Sequence, residues 1–548
     1  MEIALESAIP TYSGGLGVLA GDTLRSAADA GLPVVGVTLL SRKGYFRQRL
    51  DDEGRQTEEA VHWPVNDYLL PVDTQAVIEL EDRDVCIRVW RYDIRGAAGH
   101  VVPVYLLDSD CENNSSYDRN LTDHLYGGDD YYRLCQEAIL GIGGIRVLRA
   151  LGYTHVERYH MNEGHSSLLV LELMAELMQQ QGVDKASSEH IAAVRQQCVF
   201  TTHTPVAAGH DRFPAGLAHR VLKQCNPFSD CIDEVCCNNE LNLTYLALAA
   251  SHYVNGVAKK HRETSQKMFA GYHIDSITNG VHAYTWASDS IRKLLDKKIP
   301  DWRLDNSSLR YAMSIARDDL WQAHQSAKRR LIEYVNKICN IGMDQSVMTL
   351  GFARRATQYK RATLLFSDIH RLKSIISHCG PLQIIYGGKA HPKDQQGKAI
   401  IREIFEIKNR LNGQIRIAYL PDYDMEIGKL MTAGVDLWLN TPQAPMEASG
   451  TSGMKAAING VPSLSVLDGW WIEGCIEGVT GWAIADGESQ THSEADILYS
   501  KLENIIMPMY YQNRDAYIEV MRHAMAINGS FFNTERMVGQ YVSKAYFK

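Results

Sequence analysis

The 548-residue chain lacks a long apolar segment, because nothing in it approaches the ~18 uninterrupted apolar residues of a membrane helix. Its composition, 45% hydrophobic and 22% charged, is ordinary for a soluble globular protein. Residues 1–7 also lack the basic segment and the apolar segment that mark a secretory signal. We therefore expect neither membrane insertion nor export, and we predict a cytoplasmic protein.

The chain has no excess of positive charge. Lysine and arginine together number 56, against 65 aspartates and glutamates, which leaves a net charge of −9. A protein that binds nucleic acid through a basic surface would have the opposite balance. We therefore exclude nucleic acid as a partner and expect any phosphate site to be built locally from a few residues.

Cysteine and histidine lack the spacings of metal sites. The eleven cysteines are odd in number and scattered, which suits a reducing compartment better than a disulfide framework. No histidine stands in a His-Glu-x-x-His pattern, and no internal repeat is present. Four cysteines lie close together in the sequence: Cys225, Cys231, Cys236 and Cys237. Because they lack the paired Cys-x-x-Cys spacing, we predict free thiols rather than a metal or redox cluster. We predict no metal.

The first part of the chain alternates short β-branched runs, such as residues 32–40, with helical patterns. Such alternation predicts βαβ units and a parallel sheet. Residues 75–108 differ, because they contain close-spaced strand patterns separated by glycine turns, which favours an antiparallel insertion. We predict a first Rossmann-like lobe over residues 1–295.

The second part begins with a long helix, since apolar residues recur at three- and four-residue spacing between residues 316 and 338. We expect this helix to join two lobes. Five short apolar runs follow between residues 348 and 467, which predicts a second doubly wound sheet, and from residue 493 only helical patterns remain. We predict an α/β fold of two Rossmann-like lobes, the second over residues 296–548, with its last helices packing back on the first. Ligands would bind in the cleft between the lobes.

Residues 447–455, Glu-Ala-Ser-Gly-Thr-Ser-Gly-Met-Lys, suit a phosphate-bearing ligand. Gly450 and Gly453 let backbone N–H groups approach an anion, and three hydroxyls add donors: Ser449, Thr451 and Ser452. A helix is predicted after this turn, with Lys455 about one turn inside it, where the amine could carry charge or form a Schiff base. The segment is not a P-loop, and a glycine-serine loop with a solvated lysine is the alternative.

Other loops follow predicted strands or precede helices. Residues 354–361 carry four basic side chains after a strand and could clamp phosphates, or they could form a solvated helix face. Residues 13–17 form a glycine turn before a helix, and residues 387–392 end a further strand. Three polar segments, residues 160–165, 201–205 and 277–282, offer the paired donors and acceptors that sugar hydroxyls need.

Taken in order, these motifs resemble those of the α-glucan phosphorylases, which act on glycogen, starch or maltodextrin, in their short form. The motifs are Ser-Gly-Gly-Leu-Gly at 13, Asn-Glu-Gly-His at 162, Thr-His-Thr at 202, Thr-Asn-Gly at 278, Arg-Arg-x-x-x-Tyr-Lys at 354, Gly-Gly-Lys-Ala at 387 and Glu-Ala-Ser-Gly-Thr-x-x-Met-Lys at 447. The resemblance implies a glycosyltransferase-B fold and pyridoxal 5′-phosphate (PLP) held as a Schiff base by Lys455. It also implies reversible phosphorolysis of α-1,4-glucan to α-glucose 1-phosphate with retention.

Residue roles follow from the resemblance as well. The cofactor would be bound by Lys455, Arg354, Lys360, Thr451, Ser452, Tyr423 and Trp286. Inorganic phosphate, glucose 1-phosphate and the glucan or maltodextrin would be bound by Gly15, Leu16, His203, Asn279, Arg355, Glu447, Ser449 and Gly450. The catalytic set would be Lys455, Arg355, Lys360 and His203. The sequence also leaves open whether the chain associates with copies of itself as a homo-oligomer.

The chain also departs from the family pattern. It begins at the methionine of what resembles the family's Tyr-Phe-Ser-Met-Glu segment, so the first strand of the N-terminal lobe is expected to be missing. Arg354 stands where long relatives have lysine, and Asp424 where they have arginine. The missing strand leaves open a glucan-binding protein without turnover. The Ser-Gly-Gly-Leu-Gly motif and the two lobes leave open a nucleotide-sugar-dependent glucan synthase of the same fold.

Overall fold

A computed structural model describes residues 1–206, 209–223, 227, 236–237, 239–411, 413–485 and 492–547. The side chains of Cys225, Cys231, Cys236 and Cys237, for which free thiols were predicted, lie outside the described residues. Contacts between Cα atoms divide the chain into two compact units. Unit 1 comprises Met1–Phe46, Ala60–Thr278 and Val538–Lys548, and unit 2 comprises Arg47–Glu59 and Asn279–Met537. The lobe boundary at residue 295 stays a prediction.

Short strands run through both units. The strands are β1 (Gly36–Leu39), β2 (Arg47–Leu50), β3 (Gln56–Glu59), β4 (Leu70–Leu80), β5 (Arg83–Arg95), β6 (Val101–Asp108), β7 (Tyr159–Asn162), β8 (Cys198–Thr201), β9 (Arg212–Pro214), β10 (Cys236–Cys237), β11 (Glu240–Asn242), β12 (Tyr253–Gly256), β13 (Asp275–Ser276), β14 (Met348–Ala353), β15 (Leu382–Gly387), β16 (Arg416–Leu420), β17 (Leu437–Asn440), β18 (Ser463–Val466) and β19 (Gly481–Ile484).

Helices alternate with these strands. The α-helices are α1 (Gly15–Asp29), α2 (Val65–Tyr68), α3 (Asp130–Ala138), α4 (Gly144–Ala150), α5 (Leu169–Gln181), α6 (Ser188–Arg195), α7 (Ala215–Val221), α8 (Leu243–Ala249), α9 (Lys259–Met268), α10 (Ala283–Trp286), α11 (Asp289–Lys298), α12 (Arg317–Cys339), α13 (Ile369–Cys379), α14 (Gln395–Arg410), α15 (Met425–Gly434), α16 (Ser452–Ile458), α17 (Trp471–Gly474), α18 (Glu494–Lys501), α19 (Met507–Gln512), α20 (Arg514–His523) and α21 (Thr534–Tyr541). In the described part of the chain, no helix is long and apolar enough to cross a bilayer.

The described residues of unit 1 form two four-stranded sheets and one small antiparallel sheet. The first has the order β1-β6-β5-β4, with β1 parallel to β6 and the other pairs antiparallel, so the antiparallel pairs form where residues 75–108 predicted them. The second has the order β13-β12-β8-β7 and is parallel throughout. These sheets give unit 1 a mixed α/β architecture.

Unit 2 is built on one six-stranded parallel sheet in the order β16-β15-β14-β17-β18-β19. If β14 is numbered 1 and the later strands are numbered in chain order, this is the order 3-2-1-4-5-6 of a doubly wound sheet. Such strands are covered on both faces and read as continuous apolar runs. Accordingly, every residue of β14, β15 and β17 is buried, and Leu350, Ile384 and Trp438 are wholly inaccessible. The chain builds the sheet outward from β14 through β15 to β16, and then returns to the other side of β14 to form β17. The strand order therefore reverses between β14 and β17.

The long helix predicted over residues 316–338 forms as α12, but it lies wholly within unit 2 instead of joining two lobes. Its apolar stripe is the physical reason, since Leu320, Leu331 and Val335 are completely buried there. Gly434 ends α15 against this stripe, and a Cβ on it would lie 2.6 Å from the Leu331 Cβ. The close approach fixes α15 against α12.

Candidate functional site

The candidate site of unit 2 lies at the carboxyl ends of β14 and β17. Open α/β sheets bind ligands in the crevice at the point where the strand order reverses. Arg354 directly follows β14, and the segment of residues 441–451 follows β17. Two motifs that are distant in the sequence therefore meet at the reversal point of one sheet.

Arg354, Lys360 and Glu447 form a buried cluster at this point. The Arg354 Nη2 lies 2.7 Å from the Glu447 Oε2, and the Lys360 Nζ contacts the same oxygen. All three side chains are at most a tenth exposed. When Lys360 is protonated, two cations share one carboxylate and leave one positive charge in the cluster, which favours the binding of an anion such as a phosphate. The sequence predicted basic residues here, but not that Glu447 would be their partner.

The pKa values of this cluster follow from burial and charge. Burial lowers the pKa of Lys360 to about 7, and the nearby Arg354 acts in the same direction, while Glu447 opposes the change. Burial alone would raise the pKa of Glu447, but the charges of Arg354 and Lys360 outweigh it and lower that pKa. Glu447 therefore stays ionised near neutral pH and is a poor proton donor.

Backbone contacts fix Lys360 next to the end of β17. Lys360 lies in a 3₁₀ turn, Gln358–Lys360, and its carbonyl oxygen accepts a hydrogen bond of 3.0 Å from the Thr441 Oγ1. Arg361 donates from Nε to the Thr441 carbonyl oxygen at 2.9 Å. Arg361 itself has a φ of 47°, a left-handed conformation that turns the chain at this residue. The amine is thus supplied by a loop that β17 holds in place.

Lys455 occupies the short helix α16 and is only 7% exposed. Its Nζ lies 3.7 Å from the ring centroid of Trp286, within the range of a cation–π contact. Asn459 clamps the two residues together, because its Nδ2 donates to the carbonyl oxygens of Trp286 at 2.8 Å and of Lys455 at 2.9 Å. A buried lysine next to a flat aromatic ring has the chemistry needed to hold a carbonyl-bearing cofactor.

The glycine-serine turn before α16 is held tightly. Gly450 has a φ of 72°, which a residue with a side chain rarely adopts, and a Cβ there would lie 3.4 Å from the Arg354 Nη2. Ser449 is buried, and its carbonyl oxygen accepts from the Trp470 backbone N–H at 2.9 Å. Ser452 accepts at Oγ from the Trp438 Nε1 at 3.1 Å. Thr451 precedes α16 as its N-cap residue.

Tyr423 and Arg355 complete the predicted set in unit 2. The Tyr423 ring lies against Gly387, where a Cβ would be 3.0 Å from the Tyr423 Cδ2, and burial raises the pKa of its hydroxyl. Arg355 is exposed, next to the buried Arg354. The structure brings Arg354, Lys360 and Glu447 into contact, and Lys455 to Trp286.

Asp468 is a site residue that the sequence did not single out. It follows β18, and its Oδ2 accepts from the Glu447 backbone N–H at 2.8 Å while its Oδ1 accepts from the Gly469 N–H at 2.9 Å. Burial first, and then the charge of Glu447, raise the pKa of Asp468. An acidic residue just after a buried parallel strand was the signal that could have revealed it.

Asn279 places an unsatisfied polar atom in unit 2. Its backbone oxygen accepts from the Arg536 Nη2 at 3.0 Å. The residue is 5% exposed, and its side-chain Oδ1 finds no hydrogen-bond partner among the described residues. A buried amide oxygen without a donor is costly unless a ligand supplies one. Asn279 therefore fits the predicted role of a hydroxyl-binding residue.

His203 lies in unit 1, at the carboxyl end of β8. Its Nε2 contacts the Asn162 Oδ1, and its backbone N–H donates to the Glu163 Oε1 at 2.7 Å. The Thr204 Oγ1 donates to the same Glu163 oxygen at 2.7 Å. Burial lowers the pKa of His203 to about 4, so its ring is neutral near pH 7 and can offer one donor and one acceptor.

The glycine turn of unit 1 binds a carboxylate of its own chain. The Glu2 Oε2 accepts from the backbone N–H groups of Ser13 at 2.6 Å and of Gly14 at 3.2 Å. Gly15 begins α1 and is exposed, with open space where a Cβ would stand, and Leu16 is half-buried. The turn therefore does present N–H groups to a negatively charged oxygen.

One described cluster of unit 1 has the residue types of a metal site. Potential ligand atoms of Glu137, His165 and Asp211 lie within 4.8 Å of one another. Arg133, however, donates to the Glu137 Oε1 at 2.7 Å and to the Asp211 Oδ2 at 3.0 Å. The guanidinium already supplies the positive charge between these carboxylates, so we interpret the cluster as an ion-pair network.

Comparison with known proteins identifies the family. The model of the carbohydrate phosphorylase family matches residues 152–481. A maltodextrin phosphorylase of Thermococcus litoralis is 38% identical, over 100% of this chain and 70% of its own length. Glycogen phosphorylases of Mycobacterium tuberculosis and Aquifex aeolicus are 36% and 34% identical, over all of this chain and over 70% and 85% of their lengths. The chain therefore belongs to the carbohydrate phosphorylase family.

Proposed function

We propose that this chain is an α-1,4-glucan phosphorylase that reversibly converts glucan and inorganic phosphate into α-glucose 1-phosphate with retention of configuration. The observation that carries the proposal is the buried Lys455 against Trp286, next in sequence to a turn whose Gly450 lies against Arg354. Relatives named maltodextrin and glycogen phosphorylase support the glucan as substrate. We further propose a glycosyltransferase-B type of fold, which the doubly wound strand order of unit 2 supports.

The residues at this site fit PLP as the cofactor. Lys455 would bind its aldehyde carbon covalently, and Trp286 would cover its ring. Its phosphate would be held by Arg354, Lys360, Thr451 and Ser452, with Tyr423 nearby. When bound, PLP supplies a phosphate that acts as the acid and base of the reaction. The positive charge of the Arg354, Lys360 and Glu447 cluster supports this assignment, because it would attract the cofactor phosphate.

Glu447 binds rather than donates a proton in this proposal. Glycosidases use two carboxyl groups, one of which must be protonated when the reaction starts. The lowered pKa of Glu447 keeps that carboxylate ionised, and Asp468 is occupied by two backbone N–H groups. Glu447 is therefore suited to orient Arg354 and Lys360 and to accept a hydrogen bond from a sugar hydroxyl.

The substrate groups are assigned to the remaining residues. Arg355, the Gly15 N–H and Leu16 would bind the inorganic phosphate. The glucosyl hydroxyls would be bound by His203, Asn279, Glu447, Ser449 and Gly450. The neutral ring of His203 and the unsatisfied oxygen of Asn279 support these roles, since a sugar hydroxyl both donates and accepts.

The test is to incubate the protein, loaded with PLP, with maltodextrin and inorganic phosphate and to measure glucose 1-phosphate. Phosphate-dependent formation of this product is the expected result. Glucan extension from ADP- or UDP-glucose without PLP would instead identify a nucleotide-sugar-dependent synthase. Maltodextrin binding without any turnover would identify a binding protein, and either result would overturn the proposal.

A further inference from the structure

The hairpin of β2 and β3 belongs to unit 2, although the chain before and after it belongs to unit 1. Its strands pair antiparallel, from Arg47 opposite Glu59 to Leu50 opposite Gln56. They form a sheet of two strands only. Since an isolated hairpin is marginally stable in water, contacts with the rest of unit 2 must hold it.

Three residues of the segment Arg47–Glu59 are buried: Gln48, Gly54 and Gln56. Gly54 has a φ of 74° and lies against the ring of Phe405, where a Cβ would be 2.5 Å from the Phe405 Cδ2. Gln48 and Gln56 are 1% and 7% exposed, and the Gln48 Nε2 donates to the Gln56 Oε1 at 2.8 Å. The face that the hairpin turns towards unit 2 is therefore polar.

The side-chain amide of Gln56 forms two hydrogen bonds with the backbone of a single residue, Ala390. Its Nε2 donates to the Ala390 carbonyl oxygen at 2.9 Å, and its Oε1 accepts from the Ala390 N–H at 3.0 Å. The neighbouring Gln48 donates from Nε2 to the Gly388 carbonyl oxygen at 3.1 Å. Together the two glutamines fix the loop that follows β15.

Gln48 also binds the loop that follows β16. Its backbone N–H donates to the Asp422 Oδ1 at 3.0 Å, and its Oε1 accepts from the Asp422 N–H at 2.9 Å. Lys389 joins the two loops through an ion pair of 2.6 Å with the same Asp422 oxygen. Asp422 has a φ of 52°, so the reciprocal bonds hold this residue in a strained conformation.

One of these two loops contacts the backbone on both sides of Arg355, and the other carries Tyr423. Arg354 donates from its backbone N–H to the Gly387 carbonyl oxygen at 3.1 Å, and Ala356 donates to the Lys389 carbonyl oxygen at 3.1 Å. At Gly388 a Cβ would lie 1.9 Å from the Arg354 carbonyl oxygen, so the two segments are in direct contact. Tyr423 directly follows Asp422. Any movement of residues 387–390 or 422 would shift the backbone of Arg354 or Tyr423.

We propose that Gln48 and Gln56 are positioning residues for the PLP site, which hold Arg354 and Tyr423 in place through the loops at 388–390 and 422. This inference rests on the proposed function for the identity of the cofactor. Apolar side chains of similar size would bury the hairpin equally well, but they could not fix the position of a peptide group. The bidentate contact with Ala390 does so, because an amide has one donor group and one acceptor in a fixed geometry.

Gln56→Met is the test variant, since methionine keeps the length of the side chain and removes both hydrogen bonds to Ala390. Thr57→Met is the matched control, because Thr57 is the exposed neighbour on the same strand. The cofactor-free proteins are titrated with PLP, and binding is followed by cofactor fluorescence. We expect the Kd for PLP to rise about tenfold in Gln56→Met, as for the loss of one or two good hydrogen bonds, and to stay unchanged in Thr57→Met.

Hydrogen–deuterium exchange of the same cofactor-free proteins tests the anchoring independently of PLP. The Ala390 N–H, which donates to the Gln56 Oε1, should exchange faster in Gln56→Met, while β14 keeps its protection. Faster exchange with an unchanged Kd for PLP would overturn the positioning role, and unchanged exchange would overturn the anchoring itself. If the wild-type protein does not bind PLP, the proposed function fails, and the exchange result still decides the anchoring.

Gln48→Met is a second variant, in case Gln56→Met does not fold. It leaves both bonds of Gln56 to Ala390 in place and removes the side-chain bonds to Gly388 and Asp422. We expect a rise of about threefold in the Kd for PLP, together with faster exchange at residue 422. A folded Gln48→Met with wild-type affinity and wild-type exchange would contradict the proposal.

Discussion

The Arg354 Nη2 lies 2.7 Å from the Glu447 Oε2, and this pair joins the loop after β14 to the loop after β17. Lys360 contacts the same carboxylate, so Glu447 is the only described carboxylate in ion-pair contact with either cation. A buried carboxylate between two cations offsets one of their two charges and sets their positions. The pair thus prepares unit 2 to receive an anion.

Glu447→Gln should destabilise the cofactor-free protein, because two buried cations would lose their common partner. We expect the free energy of unfolding to fall by about 3 kcal/mol. PLP should then raise the melting temperature of the variant more than that of the wild type, since its phosphate would replace the lost charge. Thermal unfolding with and without PLP measures both effects.

Glu426→Gln is the control for this prediction. Glu426 is 62% exposed and pairs with Lys429 at the surface of α15, so its loss should change the stability by less than about 0.5 kcal/mol. Equal stabilisation of Glu447→Gln and wild type by PLP would argue against a phosphate at this cluster.

The pKa of about 7 at Lys360 predicts a pH dependence of stability. The unfolded chain keeps the ordinary value of 10.5, so between these pH values the unfolded state binds more protons than the folded state. The free energy of unfolding should therefore rise with pH from about 7 upward. Lys360→Met removes this contribution. We expect the rise between pH 7 and 9 to be smaller in the variant by up to about 2 kcal/mol.

Denaturant titrations of both proteins at pH 7 and pH 9 measure this difference. Lys223→Met serves as the control, because Lys223 is 60% exposed in a surface ion pair with Asp82. It should follow the wild type at both pH values. An equal change in the free energy of unfolding between pH 7 and pH 9 in Lys360→Met and in the wild type would show that Lys360 keeps its proton in the cofactor-free fold.

Arg355→Ala should chiefly impair the use of inorganic phosphate. The exposed guanidinium of Arg355 is proposed to bind this anion, whereas Arg354 is proposed to bind the cofactor. We expect the KM for phosphate to rise between tenfold and a hundredfold, as for the loss of a charge-assisted contact, with PLP content unchanged. Steady-state kinetics at varied phosphate measures this change. Arg416→Ala, at the opposite end of β16, should behave as the wild type, and an unchanged phosphate dependence in Arg355→Ala would refute the assignment.

Tyr541→Phe should destabilise unit 1. The Tyr541 hydroxyl lies 3.1 Å from the Thr201 Oγ1 on β8 and accepts from the Asn255 Nδ2 on β12 at 3.1 Å. Removing it leaves a buried amide donor with one partner fewer, which should cost about 1–2 kcal/mol in the free energy of unfolding. Tyr117→Phe, at a tyrosine that is 47% exposed, should cost less than about 0.5 kcal/mol. Equal stability of the two variants would contradict the role of Tyr541.

The strands of unit 2 could be predicted because each is a short, continuous apolar run between turns. All five runs predicted between residues 348 and 467 form strands of the six-stranded sheet. β19 was not predicted, since Gly481–Ile484 offers only four residues and the first of them is a glycine. The long helix was predicted from its spacing, but its place within unit 2 depends on packing against α15, which spacing alone does not reveal.

The turn and the helix within residues 447–455 were also predictable, because small residues and hydroxyls favour turns and helix starts. Phosphate binding by this segment stays a prediction. The partnership of Glu447 with Arg354 and Lys360 was not predictable, since it joins residues about ninety positions apart. The contacts of the β2–β3 hairpin with the loops of unit 2 could not be predicted either. Gln48 and Gln56 read as ordinary polar strand residues, and only the fold shows that they face a buried loop.

Mass spectrometry can test directly whether Lys455 holds the cofactor. The protein is loaded with PLP, reduced with borohydride, digested and mapped by mass spectrometry. We predict a pyridoxyl group on the peptide that contains Lys455, and none in Lys455→Ala. An unmodified Lys455 in protein that binds PLP, or a pyridoxyl group on a different lysine, would contradict the account.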